Sequence, residues 1–446
     1  MKFLFSIILV IQSIIFFAQS NFSSLTSGVL NNKEVKCIFG DSVTNLVYVG
    51  GAFTLAGGLP VTQIASWDGA SWDSLSSGIN DGGRVFDIDR YNGKIIAAGT
   101  FDQIGGIYAS GLAAWDGSNW TPLVQLKDRD DYPGVVISIL VDGGDLIIAG
   151  SFDSLNGLPA NSIARFDGSN WFSYPPLDTT SLLLAKPTIY NGELYVIGNI
   201  WDPSLGYKGI ARFDGATWLP VGTGFSLGAI TNALAVYNNE LYIGGYFSSP
   251  NDPGNMLVKW NGTNYIPLPV TPNWQVHELK VIGGKLYVGG LFLNVGSLSN
   301  SAFCARLNGV IWESTGGAFD NGVSSFTALN GDIFIGGGFW TVNGDTMNAI
   351  TRYVGAVGVN ESSIQGTLSI FQNDGRGNVV VIIPSGLEGP CTFSVFDVNG
   401  KLLNQFASKG ETRIPVNLSD RPAGIYFIRC RVGEGLEAAG LVLKVE

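Results

Sequence analysis

The chain has 446 residues, 46% of them hydrophobic and only 14% charged, so it can bury large cores and does not have the composition of a disordered polymer. Its formal charge of -11, with no cluster of Lys and Arg, disfavours nucleic acid and anionic membrane as partners. Its 61 glycines and 12% aromatic residues follow no collagen-like period and suggest many short strands joined by tight turns.

Residues 1–20 hold one Lys, an apolar run from Phe3 to Ala18 and the small-x-small sequence Ala18-Gln19-Ser20. This predicts a secretory signal removed by cleavage, since the apolar run is shorter than the roughly 20 residues a bilayer core requires.

From 21 to 358 the sequence repeats. "VYVGGAF", "LYIGGYF" and "LYVGGLF" recur, each followed by a stretch such as "IASWDGASW", "LAAWDGSNW", "IARFDGSNW", "IARFDGATW" or "LVKWNGTNY". One column holds Trp67, Trp115, Phe166, Phe213, Trp260, Leu307 and Tyr353, in steps of 46 to 51 residues. A second holds Trp72, Trp120, Trp171, Trp218, Tyr265 and Trp312.

Each unit reads as four strands. In the fifth, "ALAVY", "ELYIGGYF", "LVKW" and "TNYIPL" are separated by the turn residues Asn238-Asn239, a longer segment, and Asn261-Gly262. Paired glycines such as Gly244-Gly245 suit a bulge or a close approach of backbones. Four strands per period of this length, with aromatic anchors, predict an all-β fold whose main part is a seven-bladed β-propeller. In length and glycine placement the unit resembles kelch-type propeller repeats, a likeness that speaks to fold more than to function.

The seventh unit lacks a fourth strand: Tyr353 is followed by Val354-Gly355, and Gly358 stands where an aromatic is due. The opening "FSSL" matches the fourth strands "WDSL" and "WTPL". The N-terminal strand is therefore predicted to complete the last blade and close the ring, leaving no unpaired edge at the seam.

Links between first and second strands and between third and fourth strands are short, whereas the other two kinds vary in length and emerge on one face. Recognition usually sits on such loops. The candidate ligand-binding residues there are Tyr108, Tyr132, Tyr207, Trp274, Phe319 and Trp340, whose rings could stack on sugars or pack against a protein, or simply cap their own loops. Trp201 shares the column of Phe53, Phe101 and Phe152 and is expected in the core.

The Asp of each "WDG" stretch is explained by its hairpin. Asp102, Asp153 and Asp202 begin variable loops, and Asp130, Asp131 and Glu278 are expected in other loops of that face. A pair among them could do glycosidase chemistry, but no spacing singles one out, and solvated or turn-stabilising acids are the favoured reading. His277 is the only histidine, which excludes a site needing two imidazoles and points to a structural role. There is no zinc-type cluster, P-loop or dinucleotide fingerprint, so neither metal nor cofactor is expected.

After a linker at 359–364, residues 365–446 alternate or run apolar in short segments and predict a small C-terminal β-sandwich. "VFDVNGKLL", "LSDRPAGIYFIRC" and the terminal "LVLKV" resemble the C-terminal sorting domain of cargo of the bacterial type IX secretion system. The opening stretch departs from that family, with "IFQNDGRG" in place of its usual Pro-Asn-Pro. Asp397, Gly400, Lys401, Pro422, Gly424, Tyr426 and Lys444 stand at the family's positions. The resemblance implies recognition by the type IX machinery, export across both membranes, and display at the cell surface or release. Cys391 and Cys430 lie on two strands of this domain, and a disulfide and two buried thiols stay open as alternatives. Cys37 and Cys304 fall in separate repeats and read as small core residues.

The function expected from these observations is a secreted or surface-displayed binding module, without enzymatic activity, that offers its loop face to a glycan or protein. The alternatives are a secreted carbohydrate-active enzyme using loop-face carboxylates and, more weakly, a structural surface component.

Overall fold

The computed structural model describes residues 22–31, 34–79, 82–177, 183–202, 207–248, 252, 254–354, 364–367, 369–372, 378–382, 391–397, 402–408, 413–418, 424–432 and 436–444; side chains at 183–185, 201–202, 207–208 and at most positions beyond 364 are not described. The predicted signal at 1–20 thus lies outside the described residues. The described fold is all-β, without a helix, and the chain divides into two compact units between Gly358 and Val359.

In the first unit four-stranded antiparallel sheets follow one another, six of them meanders in chain order. The first sheet contains Glu34–Asp41, Leu46–Ala52, Ile64–Trp67 and Trp72–Ser74. The next five begin with the strands Val85–Tyr91, Val135–Asp142, Leu183–Tyr190, Ile230–Tyr237 and Val276–Ile282. The seventh is built from Val323–Leu329, Asp332–Gly337 and Ile350–Tyr353, and its fourth strand is Phe22–Ser24. There Phe22 is opposite Tyr353, Ser23 opposite Arg352 and Ser24 opposite Thr351. The first strands touch in succession, from Glu34–Asp41 through to Val323–Leu329, and the last of them touches Glu34–Asp41 again.

The paired glycines have two separate jobs, visible in the fifth sheet. The ladder between its first two strands skips Asn232, and Gly245 lies opposite this bulge, where a Cβ would collide with the Ile230 carbonyl. At Gly244 a Cβ would sit 2.6 Å from Val276 Cγ1 of the sixth sheet, so the missing side chain lets neighbouring sheets pack closely.

Neighbouring sheets are also tied by the aromatic residue that follows each turn. Trp72 Nε1 donates to the Leu25 carbonyl at 3.1 Å, Trp120 Nε1 to Leu75 at 3.0 Å, Trp218 Nε1 to Pro175 at 2.8 Å, Tyr265 OH to Val221 at 2.9 Å and Trp312 Nε1 to Val270 at 3.0 Å. Each bond reaches back to the end of the preceding sheet's fourth strand and satisfies the polar tip of a mostly apolar side chain. Leu25 follows Phe22–Ser24, so the first of these bonds treats that segment as a fourth strand.

The predicted turns have their expected chemistry. Asp68 accepts from the backbone N–H groups of Ala70 and Ser71, both at 2.7 Å, and Asp116, Asp167, Asp214 and Asn261 do the same in their sheets. These backbone donors hold the four aspartate carboxyls below their usual range. Cys37 and Cys304 are buried free thiols, as expected.

The second unit contains a five-stranded and a three-stranded sheet. Its first strand, Ile364–Thr367, pairs parallel with Leu436–Lys444, so Ile364 belongs to a strand and not to the linker predicted for 359–364. Cys391–Asp397 pairs antiparallel with both Leu402–Ser408 and Gly424–Val432. In the latter ladder Cys391 is opposite Val432 and Cys430 opposite Phe393, which sets the two cysteines on a diagonal; their side chains lie outside the described residues.

Candidate functional site

The first strands of all seven sheets line one cavity of about 700 Å³. One column of the repeat, the position just after each first-strand bulge, runs around it and is occupied by Cys37, Asp87, Ser138, Lys186, Ala233, Glu278 and Ser325, with further polar side chains such as Asp89, Asn232, His277, Lys280 and Ser324 also on its wall. Lys186 of the fourth sheet donates to both carboxylate oxygens of Glu278 in the sixth, at 2.9 and 2.7 Å. The pair skips the fifth sheet, where the column holds only the methyl of Ala233. Both side chains are largely removed from solvent, at 25% and 15% exposure.

Asp87 accepts from Ser138 Oγ and from the Ile139 N–H, both at 2.9 Å. Burial pushes its carboxyl up to about 6, against the opposing pull of the Lys186 ammonium and these two donors. Burial also works against the charge of Lys186, but the Glu278 carboxylate prevails and holds the ammonium above its ordinary range. The cavity therefore contains an ion pair and a carboxyl whose titration is moved well above the usual aspartate range, to about 6.

A second cavity, of about 480 Å³, opens at the end of the sheets that carries the variable loops. Trp340, Leu291, Glu34, His277, Asn321 and Ser324 line it, and His277 and Ser324 also face the larger cavity. Trp340 is 53% exposed. Burial, reinforced by the Lys36 ammonium, holds the His277 imidazole below its usual range, so it is neutral at physiological pH.

Among the predicted ligand-binding aromatics, Trp340 reaches this cavity. Tyr108, Tyr132 and Trp274 are exposed, and Trp274 meets Tyr246 edge-on with ring centroids 5.0 Å apart. The side chains of Tyr207, Trp201 and Asp202 lie outside the described residues. Phe319 corrects the expectation of an exposed loop ring: it is 5% exposed, packs against Phe22 and Phe339 and bridges to Val342. The reason is its column. It stands four residues after Thr315, as Val29 stands four after Leu25 and Ile79 four after Leu75, and both Val29 and Ile79 are fully buried.

Glu278 is a second correction, since it lies within the strand Val276–Ile282 and not in a loop. Asp130 and Asp153 share a small cavity of about 170 Å³ with Asp128 and Arg129, while Asp131 pairs with Lys127 at 2.7 Å. Among the described residues no three His, Cys, Asp or Glu side chains are grouped to hold a metal ion. The sequence signal for the larger cavity was the run of polar and charged residues within the first strands, such as Asp87 and Asp89, His277 and Glu278, and Ser324 and Ser325.

In the second unit the register brings four of the predicted secretion-signal positions together. Tyr426 is opposite Asp397 on one side and Val442 on the other, and Gly424 is opposite Lys444. Gly400, Lys401 and Pro422 lie outside the described residues. No protein-family model matches the chain, and a search of curated proteins finds no matching relative.

Proposed function

We propose that the first unit is a kelch-like, seven-bladed β-propeller closed by the strand Phe22–Ser24, and that it is a binding module for a glycan. Support for the ring comes from the unbroken succession of contacts among first strands and from the return of the last to Glu34–Asp41. Support for the closure comes from the pairing of Phe22–Ser24 with Ile350–Tyr353 and from the Trp72 bond to Leu25. In this reading the larger cavity is the central channel and the smaller one is its mouth on the loop face.

The observation that carries the glycan reading is the composition of the mouth. A half-exposed Trp340 indole stands beside Glu34, His277, Asn321 and Ser324 in a volume suited to one or two sugar rings. The C–H face of a sugar stacks on an indole, and its hydroxyls require the donors and acceptors that surround it. Binding is measured with the purified chain on a panel of immobilised oligosaccharides. Trp340→Ala is expected to weaken the tightest interaction by about tenfold or more, the worth of one well-placed ring, without lowering thermal stability. Equal affinity for the variant, or no binding to any saccharide, would overturn the assignment.

The second unit is proposed to be a type IX sorting domain that delivers the propeller to the cell surface or the medium after removal of residues 1–20. The clustering of Asp397, Gly424, Tyr426 and Lys444 on three adjacent strands supports a single recognition patch for the export machinery.

A further inference from the structure

The repeat breaks at Leu307, and the break leaves a hollow. In five other sheets the residue before the last turn is aromatic and meets the ring of its register partner: Trp67 with Trp72 at 5.4 Å between centroids, Trp115 with Trp120 at 5.3 Å, Phe166 with Trp171 at 4.9 Å, Phe213 with Trp218 at 5.2 Å, and Trp260 with Tyr265 at 4.9 Å. In the seventh sheet Tyr353 stacks on Phe22 at 4.7 Å. The sixth sheet sets Leu307 opposite Trp312, so the second ring is missing.

These ring pairs face the preceding sheet. Trp67 and Trp72 pack with Phe334 and Ile350 of the seventh, and Leu307 packs with Tyr242 and Leu257 of the fifth. Between the fifth and sixth sheets, where the missing ring would point, lies a cavity of about 630 Å³ walled by Tyr242, Leu268, Val270, Leu298, Leu307 and Trp312.

The adjoining turn departs from the repeat as well. The first five sheets place Ala70-Ser71, Ser118-Asn119, Ser169-Asn170, Ala216-Thr217 and Thr263-Asn264 there, whereas the sixth places Val310 and Ile311, which are 88% and 65% exposed. Asn308 does not cap this turn; it pairs with Ile311 in the ladder, and its amide donates to Glu313 Oε1 at 3.0 Å. Val310 forms a lip of the cavity. An apolar lip thus borders an apolar hollow at the one sheet that lacks its own second ring.

We propose that this wedge is a binding site for a small molecule that carries an aryl ring, which occupies the place beside Trp312 that the other sheets fill from within. The indole is fixed in place by the tie common to these sheets, its N–H donating to the Val270 carbonyl at 3.0 Å, which satisfies its polar tip. Lys259, the charged side chain on the wall, is engaged with Glu240 at 2.7 Å, so the interior offers little to a saccharide's hydroxyls. Ser297 and Ser299 line the site and are exposed, and a polar substituent on the ring would reach solvent past them. The site is separate from the Trp340 cavity and does not depend on the glycan assignment.

The test is ligand-observed saturation-transfer NMR on the full chain with indole as probe and cyclohexanol as a non-planar control. Indole is expected to receive saturation and cyclohexanol to receive much less. Leu307→Trp restores the repeat's ring pair and is expected to weaken indole binding by about tenfold or more while raising the melting temperature. Val310→Asp, at an exposed position that leaves the core intact, is expected to weaken indole binding by about threefold. Equal saturation of indole and cyclohexanol, or indole binding unchanged in either variant, would overturn the proposal.

Discussion

Replacing Phe22 by Ala is expected to cost about 3–5 kcal/mol of stability, the range for a large aromatic removed from a close-packed interior. Phe22 is 6% exposed, stacks on Tyr353 at 4.7 Å and meets Phe319 edge-on at 5.7 Å. It also covers Gly317, where a Cβ would come within 2.8 Å of its ring. Unlike the Trp and Tyr residues in its column it has no polar tip, so its own side chain contributes through packing, beside the ladder to Ile350–Tyr353 and the Thr351 Oγ1 bond to the Ser23 carbonyl. Urea unfolding followed by tryptophan fluorescence measures the loss, with Val354→Ala, at an exposed position just past the strand Ile350–Tyr353, as control. A loss below about 1 kcal/mol would mean that the strand contributes little to the fold.

Lys186→Met should cost about 2–3 kcal/mol at neutral pH, somewhat less than the roughly 3–5 of a fully buried pair, because Glu278 is left without its cation. The double variant Lys186→Met, Glu278→Met should recover most of the loss, since the ion pair and its desolvation are removed together. The pH dependence follows from Asp87. Its folded-state value of about 6 lies above that of an unfolded Asp, so its stability contribution is present below the unfolded value and lost as pH rises through about 6. Lys186 pulls that value down, and removing the ammonium raises it further. The deficit of Lys186→Met therefore grows between pH 4 and pH 7, which unfolding curves at the two pH values will measure; a deficit constant across that window would contradict the coupling.

The strands and turns were legible because they depend on short-range chemistry. Asp-Gly and Asn-Gly turns, alternating apolar residues and the 46-to-51-residue rhythm marked each sheet, and the match of "FSSL" to "WDSL" pointed to the pairing of Phe22 with Tyr353. What stayed hidden depends on the neighbouring sheet. Phe319 reads as a loop aromatic until its column is aligned with Val29 and Ile79, which pack beneath the next sheet's hairpin. Glu278 was read as a loop acid because the charged column is visible only once the bulge fixes the register, and its partner Lys186 is 92 residues away. Leu307 stands in a column that is otherwise aromatic, but the cavity beside it becomes visible only with the facing sheet in place.

Closure of the ring is tested most directly by a cross-link at the seam. Ser23 and Arg352 are register partners and both half-buried, and cross-strand partners lie within the Cα separation a disulfide spans. In the variant Ser23→Cys, Arg352→Cys a closed ring is expected to give an intramolecular disulfide under mild oxidation of the folded protein, detected by mass spectrometry of the peptides, and a raised melting temperature when it forms. Free thiols at both positions in the oxidised, folded protein would contradict it.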